Sequence, residues 1–385
     1  MRRIAYKYRI YPSKEQKEYF AKVFGCVRFF YNKSLSDMCD LYKATGKYEN
    51  ITPARYKSDY PFLKEVDSLA LCNAQLDRNA AFKAFFRKQN AFPKYKSKKN
   101  EQSYTTNNQG GVKFSNNNRY ISIPKCPRIR IKKHRDFEGE IKSITISKTT
   151  DEKYYISLLV EDRFECINIE DNAIGLDLGI KDLIIDSNGH KYKNHKYLSK
   201  SMDKLAKEQR KLSKMVKGSN NRNKQRIKIA KLHKKINNQR NDCLHKLSRS
   251  IIDENQIICI EDLKVKNMVK NDKLARNITD ASWSRFVSML IYKANWYGNT
   301  IVKVPSNYPS SQLCSICRYK NSITKNLGIR KWTCPECDTI HDRDINAAKN
   351  ILRKGIEILT KDGTPPDSLF MLGSLESSSK KPPLL

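Results

Sequence analysis

The sequence predicts a multidomain α/β protein: a β-rich N-terminal region with a helical insertion, then a mixed α/β region that carries a small cysteine ribbon. Three features support this prediction. Apolar residues alternate at the N-terminus, they take helical spacing up to about residue 90, and two C-x₂-C pairs follow residue 310. A chain of 385 residues is long enough for roughly two or three domains with cores of their own.

The N-terminal region begins with a predicted strand. Its apolar residues occupy every second position: Ile4, Tyr6, Tyr8 and Ile10. This period of two is typical of a half-buried strand. Strand-like runs return after residue 91, at 120–123, 129–131, 141–146 and 154–160. Because these runs are short and separated by turns, we interpret residues 1–10 and 91–170 as one small β-barrel that is split in the sequence.

Residues 11–90 are predicted to be a helical unit inserted in that barrel. Ser13 followed by Gln16 is a capping-box pattern, which marks a helix start. Apolar residues then recur at helical spacing over 19–35 and again over 69–88. Two long helices therefore account for most of this unit.

Beyond the barrel, short apolar runs at 173–176 and 257–260 predict strands. Between residues 196 and 250 there are 18 Lys and Arg against 3 Asp and Glu, with a break at Gly218. Helical spacing on both sides of the break predicts a basic helical hairpin at 200–250. Most charge runs are solvated faces, but an excess of one sign cannot pair within the helices and favours contact with phosphates.

The whole chain carries a net charge of +35, from 75 Lys and Arg against 40 Asp and Glu. Nucleic acid is the leading partner, because neutralising phosphates releases counterions. Solubility alone or an anionic membrane are the alternatives, and no apolar run of about 18 residues supports a membrane. We expect a soluble intracellular protein. The lysines expected to contact nucleic acid are Lys94, Lys96, Lys98, Lys99, Lys211, Lys214, Lys224, Lys228, Lys231 and Lys235.

The strongest single motif is a pair of C-x₂-C sequences separated by 16 residues. Their four thiols belong to Cys314, Cys317, Cys334 and Cys337. Two such pairs can present four thiolates tetrahedrally, which is typical of a zinc ribbon. Disulfides or coincidence are the alternatives. With all four positions filled by sulfur, this Zn²⁺ would stabilise a fold and leave no position for a reacting water.

Catalytic candidates are acidic residues. Asp177 and Glu261 each end an apolar run, and Asp344 opens a helix-like segment. Two carboxylates at the ends of neighbouring strands and a third at a helix start can hold two divalent ions about 4 Å apart, either Mg²⁺ or Mn²⁺, for phosphodiester displacement. Capping or solvated acids remain the alternative for each residue. His341 lies either near these metals or in an ordinary hydrogen bond.

Several motifs together resemble the TnpB family, the OrfB proteins of insertion sequences, which are related to type V CRISPR effectors. The residues that carry the resemblance lie in order at 9–16, 24–32, 92–96, 175–179, 261–263, 283, 292–294, 310–314 and 341–348. The likeness runs from about residue 3 to residue 352. One departure is Arg318, where the family often has glycine after the second cysteine.

The resemblance implies a domain plan. A wedge β-barrel at 1–10 and 91–170 would contain a helical recognition lobe at 11–90. A RuvC-like nuclease domain of RNase H fold at 171–305 and 338–360 would contain the hairpin and a zinc ribbon at 306–337, followed by a disordered tail at 361–385. It also implies that Asp177, Glu261 and Asp344 bind the catalytic metals, with Asp344 preferred over Asp342 because the family acid precedes x-Asn-Ala-Ala.

The function that the resemblance implies is an RNA-guided DNA endonuclease of a transposable element. A guide RNA would pair with double-stranded target DNA beside a short flanking motif. A guided DNA-binding repressor without cleavage is one alternative, although such relatives lose acids that are all present here. A transposase active in DNA strand transfer, and an RNase or junction-resolving enzyme, are further alternatives.

Overall fold

A computed structural model describes residues 2–162, 172–326 and 328–361. The chain divides into two compact units. The first comprises Met1–Arg163 with Met215–Lys231, and the second comprises Phe164–Lys214 with Leu232–Leu385. This division assigns residues 215–231 to the first unit, whereas the sequence interpretation assigned the whole of 200–250 to the nuclease domain. Apart from Lys361, the expected tail at 361–385 lies outside the described residues.

The first unit is built on a seven-stranded antiparallel sheet. Its strands are β1 (Arg2–Tyr11), β2 (Gln102–Asn107), β3 (Lys113–Phe114), β4 (Tyr120–Ile123), β5 (Cys126–Lys132), β6 (Glu140–Lys148) and β7 (Tyr154–Asp162). Their order is β2-β6-β7-β1-β5-β4-β3. Strand β1 is central and pairs with β7 from Arg2↔Asp162 to Ile10↔Tyr154. The predicted alternation is confirmed, because Ile4, Tyr8 and Ile10 are buried.

Two helices lie between β1 and β2: α1 (Lys14–Thr45) and α2 (Ser68–Phe86). Short 3₁₀ turns at Pro53–Tyr56 and Pro61–Lys64 connect them. The predicted capping box is confirmed, since Ser13 Oγ accepts from the Gln16 N–H and the Gln16 side chain accepts from the Ser13 N–H at 3.0 Å. Helix α1 is capped by Gly46, the residue after its end, whose φ of 68° is the left-handed conformation that glycine tolerates best.

The second unit contains a mixed five-stranded sheet. Its strands are β8 (Ala173–Leu178), β9 (Asp182–Asp186), β10 (Lys191–Lys193), β11 (Ile257–Glu261) and β12 (Thr300–Val304). The order is β10-β9-β8-β11-β12. Strand β8 is antiparallel to β9 and parallel to β11, and β11 is parallel to β12. The carboxyl ends of β8, β11 and β12 therefore meet at one edge of the sheet.

The remaining elements are helices and a small hairpin. They are α3 (Met202–Ser213), α4 (Asn220–Glu254), α5 (Val265–Met268), α6 (Asp272–Ala281), α7 (Trp283–Tyr297), β13 (Lys331–Thr333), β14 (Ile340–Asp342) and α8 (Arg343–Lys361). Short 3₁₀ turns occur at Ser199–Ser201 and Ser322–Lys325. The turn between α3 and α4 contains Gly218, with φ 88°.

The two faces of the five-stranded sheet have separate cores. Even-numbered residues of β8 and β11, such as Leu176 and Ile260, pack with α4, α6 and α7. Odd-numbered residues, such as Ala173 and Cys259, pack on the opposite face with Ile351 of α8. Since side chains alternate along a strand, Asp177 and Glu261 belong to the face that α8 covers.

Candidate active site and metal centre

The first two acids are brought together by strand register. Leu176 of β8 pairs with Ile260 of β11 in the parallel ladder. The next residue of each strand is Asp177 and Glu261, so the two carboxylates stand side by side at the carboxyl ends of adjacent strands. The short apolar runs that precede them are buried strands, and this is why both acids sit at the same sheet edge.

Helix α8 brings the third acid to the same face. It approaches the sheet closely at two glycines, one on each side of the contact. A Cβ on Gly175 of β8 would collide with the Ala348 carbonyl oxygen and would lie 2.7 Å from the Leu352 nitrogen. A Cβ on Gly355 of α8 would collide with Cys259 Sγ of β11. Asp344, in the first turn of α8, is thus held near the ends of the two strands.

The pKa of Asp177 depends on the charges of the other two acids. Burial, together with the negative charges of Asp344 and Glu261, raises the pKa of Asp177 to about 7, and the positive charge of Arg343 opposes this shift. Burial also raises the pKa of Glu261 to about 7. The negative charges of Asp344 and Glu261 therefore disfavour ionisation of Asp177, and a bound cation would relieve that repulsion.

Asp344 and Asp342 have different local roles. Asp342 Oδ1 accepts from the Asp344 and Ile345 N–H groups at 3.1 and 3.3 Å, which caps α8, and its other oxygen pairs with Lys191 at 2.6 Å. Asp344 is not used as a cap and pairs with Arg330 at 3.1 Å. Both carboxylate oxygens of Asp342 are therefore used in capping and in the ion pair with Lys191, whereas the contact of Asp344 is its ion pair with Arg330. Sequence reasoning missed Arg330, which lies far from Asp344 in the chain and comes close through the β13–β14 hairpin.

The three carboxylates are not gathered into a compact ligand set. Within residues 2–162, 172–326 and 328–361, the one group of three or more ligand atoms close enough to hold a metal is the cysteine cluster. The chemistry of the acid site still fits hard divalent cations, because carboxylate oxygens are the ligands that Mg²⁺ and Mn²⁺ prefer.

The four predicted cysteines converge as a metal centre. Their sulfur atoms all lie within 4.8 Å of one another. Cys314 Sγ is 3.6 Å from Cys337 Sγ, and Cys317 Sγ is 3.5 Å from Cys334 Sγ. A tetrahedral zinc with bonds of about 2.3 Å requires sulfurs about 3.8 Å apart, so the residues fit zinc. We therefore identify the cluster as one that could bind zinc.

The environment of Cys337 favours the thiolate form that binds a metal, whereas burial raises the pKa of Cys314 and of Cys317. Thr339 Oγ1 lies 3.2 Å from Cys337 Sγ and lowers the pKa of this thiol to about 6. His341 Nε2 lies 3.1 Å from Cys314 Sγ, and the His341 ring packs on Trp332 with centroids 4.7 Å apart. His341 therefore contacts the cysteine cluster.

Both C-x₂-C pairs form the same backbone turn. The Arg318 N–H donates to the Cys314 carbonyl at 3.1 Å, and the Asp338 N–H donates to the Cys334 carbonyl at 2.9 Å. Arg318 and Asp338 occupy the same place in the two turns, and both have positive φ, 71° and 54°. A positive φ explains the glycine that the family often has at the Arg318 position. Here Arg318 instead pairs with Glu357 of α8 at 3.2 Å.

Two buried asparagines fix the ribbon to α8. Asn346 accepts from the Ser315 N–H at 2.9 Å and donates to the Leu313 carbonyl at 2.7 Å. Asn350 donates to the carbonyls of Ser310 and Leu313. The sequence offered one signal for this role, because the two amides lie one helical turn apart on α8. The ribbon and Asp344 are therefore attached to the same helix.

Comparison with known proteins gives three matching family profiles. Residues 160–272 match a profile described as "Probable transposase" (OrfB of IS605 type), residues 283–351 match the Cas12f1-like TNB domain, and residues 1–47 match a helix-turn-helix domain of OrfB. A protein of Streptomyces pristinaespiralis, described as "Putative RNA-guided DNA endonuclease", is 37% identical over 91% of this chain and 89% of its own length. The chain belongs to the TnpB/OrfB family.

A second TnpB/OrfB relative supports the assignment, and so does one solved structure. The Escherichia coli K12 protein InsQ, with the same description, is 31% identical over 92% of this chain and 93% of its own length. The structure of Cas12f1 with sgRNA and target DNA matches with a TM-score of 0.60 at 15% identity, covering 88% of this chain and 83% of that one. The predicted resemblance is confirmed, and the fold is that of Cas12f1.

One profile description differs from the TnpB/OrfB structure described above. Residues 1–47 match a helix-turn-helix profile, yet they form β1 and the single uninterrupted helix α1. Among the described residues, no helix is long and apolar enough to cross a membrane.

The lysines predicted to contact nucleic acid differ in their surroundings. Lys96 pairs with Asp77 at 3.1 Å and lies 4.4 Å from the Tyr31 ring centre, so its charge is engaged within the protein. All ten lysines are exposed, and the nine besides Lys96 are Lys94, Lys98, Lys99, Lys211, Lys214, Lys224, Lys228, Lys231 and Lys235. Their contact with nucleic acid stays a prediction.

Proposed function

We propose that this protein is an RNA-guided DNA endonuclease of a transposable element. Its active site for cutting target DNA would be formed by Asp177, Glu261 and Asp344. The observation that carries the proposal is that Asp177 and Glu261 end neighbouring strands on the sheet face that α8 covers, with the charge of Asp344 of α8 acting on Asp177. The named activity of relatives that match nearly the whole chain supports it.

The three acids would hold Mg²⁺ or Mn²⁺. Such ions lower the pKa of water and stabilise the charge that develops on the leaving oxygen. The residues contribute position and charge: Asp177 and Glu261 offer adjacent carboxylates from rigid strands, and Asp344 offers a third from the first turn of α8. Arg330, which pairs with Asp344, would offer its guanidinium to a phosphate of the bound DNA.

The cysteine cluster would hold a structural Zn²⁺. Its four positions are all filled by sulfur, so its contribution is to stabilise the ribbon and, through Asn346 and Asn350, to hold α8. This makes the ribbon a support for Asp344 and gives it no part in the chemistry.

The proposed partners are a guide RNA and double-stranded target DNA, recognised beside a short flanking motif. The net charge of +35 supports two polyanions in one complex. With DNA as target, the protein would act in the prokaryotic cytoplasm at the nucleoid. We also propose the domain plan that the family implies: a wedge barrel at 1–10 and 91–170, a recognition lobe at 11–90, a RuvC-like domain at 171–305 and 338–360, and the ribbon at 306–337.

The test is cleavage by the protein purified with its co-expressed RNA. A plasmid that matches the guide, supplied with Mg²⁺, should be cut by wild type and by Asp203→Asn, which removes an exposed acid of α3. Asp177→Asn should lose about a thousandfold in rate while keeping its affinity for RNA and DNA. Equal rates for wild type and Asp177→Asn would overturn the proposal, and binding without cleavage by wild type would identify a guided repressor.

A further inference from the structure

An exposed aromatic cluster lies at the end of α2. It consists of Phe82, Phe85, Phe86 and Phe92, and we call it the phenylalanine cluster. Phe82 is buried, but Phe86 is 69% exposed and Phe92 is 47% exposed. The Phe85 ring is 5.4 Å from Phe86 and 5.3 Å from Phe92 between centroids. Large apolar side chains that remain this exposed side by side usually mark a binding surface.

The backbone shows that the cluster is a built feature. Helix α2 ends at Phe86, and Lys88, two residues later, adopts a left-handed φ of 57° and donates its N–H to the Phe85 carbonyl at 2.8 Å. The Asn90 N–H then donates to the Ala84 carbonyl at 3.3 Å, which turns the chain back along the helix. This reversal returns Phe92 to an edge-on contact with Phe82 at 5.7 Å.

The chain segment that carries most of the cluster is strongly basic. Residues 83–100 contain seven Lys and Arg and no Asp or Glu. Lys83, Arg87, Lys88 and Lys94 are exposed, and no ion pair involves them within the described part of the chain. A partner must therefore combine flat apolar surface with negative charge. Unpaired nucleotides have both, because each base offers a ring face and each linkage a phosphate.

We infer that the phenylalanine cluster is a stacking surface for unpaired bases of RNA, with the surrounding cations on its phosphates. RNA is the fitting source because its loops and ends present unstacked bases, whereas target DNA reaches the protein as a duplex. The inference rests on the proposed function for the identity of that RNA as a guide. A charged face alone would bind duplex and single strand alike, so the aromatic rings make a specific prediction.

The experiment measures binding of the full-length protein, without divalent ions, to a single-stranded 12-nucleotide RNA that contains 2-aminopurine. The double variant Phe86→Leu with Phe92→Leu keeps apolar surface but removes the rings, and it should bind roughly tenfold more weakly. Phe86→Trp should keep the affinity within about twofold, and its fluorescence should be quenched on binding. Tyr42→Leu, an exposed aromatic on α1, is the matched control and should change nothing.

Several results would overturn the inference. They are equal affinity of the double variant and wild type, an equal loss in Tyr42→Leu, and equal binding of duplex RNA. Tighter binding of the same sequence as single-stranded DNA would make the displaced DNA strand the occupant and reject RNA. Removal of residues 362–385 should leave affinity unchanged, and a gain would show that the C-terminal segment occupies the cluster instead. This experiment measures binding only, so its result is independent of the plasmid-cleavage experiment that tests the nuclease proposal.

Discussion

The acid site and the cysteine ribbon are two candidate metal centres in the same unit, and they are built in opposite ways. The four sulfurs lie within 4.8 Å of one another, already at the spacing zinc requires. The three acids come from strands and a helix far apart in the chain, and Asp344 is paired with Arg330. The ribbon is assembled by local sequence, whereas the acid site is assembled by the fold and carries unrelieved negative charge.

The largest expected effect comes from removing one ligand of the cysteine cluster. Cys334→Ser should release zinc, lower the melting temperature by about 10 °C, and abolish cleavage because α8 loses its anchored ribbon. Elemental analysis of the purified protein measures zinc, and calorimetry measures the transition. Cys72→Ser removes an exposed cysteine outside the cluster and is the control. A Cys334→Ser protein with normal zinc content and melting temperature would contradict the account.

The next effect comes from moving α8 while both sets of ligands stay intact. Gly175→Ala should destabilise the protein by about 2 kcal/mol, since the new Cβ meets backbone of α8 that cannot give way. Cleavage should fall about a hundredfold as Asp344 shifts, while zinc is retained. Denaturant unfolding and plasmid cleavage measure the two quantities. Gly25→Ala, on α1 with open space around it, should instead stabilise by about 0.5–1 kcal/mol.

A smaller effect tests the charge of the acid site through pH. The pKa of Asp177 is about 7 in the folded protein and about 4 in the unfolded chain, so the folded protein binds more protons between these values. The contribution of Asp177 to the free energy of unfolding should therefore fall as pH rises from about 4 to 7 and then level off. Asp177→Asn removes this loss.

Without divalent ions, the stability advantage of Asp177→Asn over wild type should be larger at pH 8 than at pH 5 by about 1–2 kcal/mol. Adding Mg²⁺ at pH 8 should reduce the stability advantage of Asp177→Asn over wild type. Urea unfolding at the two pH values measures it, with Asp203→Asn as the control. An advantage that is the same at both pH values would show that Asp177 carries no unrelieved charge.

The smallest expected effect distinguishes the cost of the left-handed backbone at Arg318 from the contribution of its ion pair with Glu357. Arg318→Gly relieves a left-handed backbone but loses the partly exposed pair with Glu357, so stability should change by less than about 0.5 kcal/mol. Asp338→Gly relieves the same conformation in the other turn and should stabilise by about 0.5–1 kcal/mol. Zinc content should stay normal in both variants, and unfolding in urea measures the difference. A loss above 1 kcal/mol in Asp338→Gly would refute the equivalence of the turns.

The same contrast explains what the sequence could predict. The alternation of β1, the capping box at Ser13 and the cysteine pairs are local patterns, and each appears as predicted. The central position of β1 in its sheet depends on pairing with residues 154–162, which no local pattern encodes. The roles of Arg330 and Asn346 depend on contacts made by the folded ribbon. Lys96 looked like its neighbours in sequence, and only its distance to Asp77 sets it apart.

The central claim is that three acids from separate elements hold the divalent ions that cut DNA. The most direct measurement is a crystal structure of the protein with its RNA, an uncleavable target DNA and Mn²⁺. Anomalous scattering would locate the Mn²⁺ ions. The account predicts two ions about 4 Å apart bound by Asp177, Glu261 and Asp344, and their loss in Asp344→Asn. Ions bound by Asp342 in place of Asp344, or no ions between β8 and β11, would contradict it.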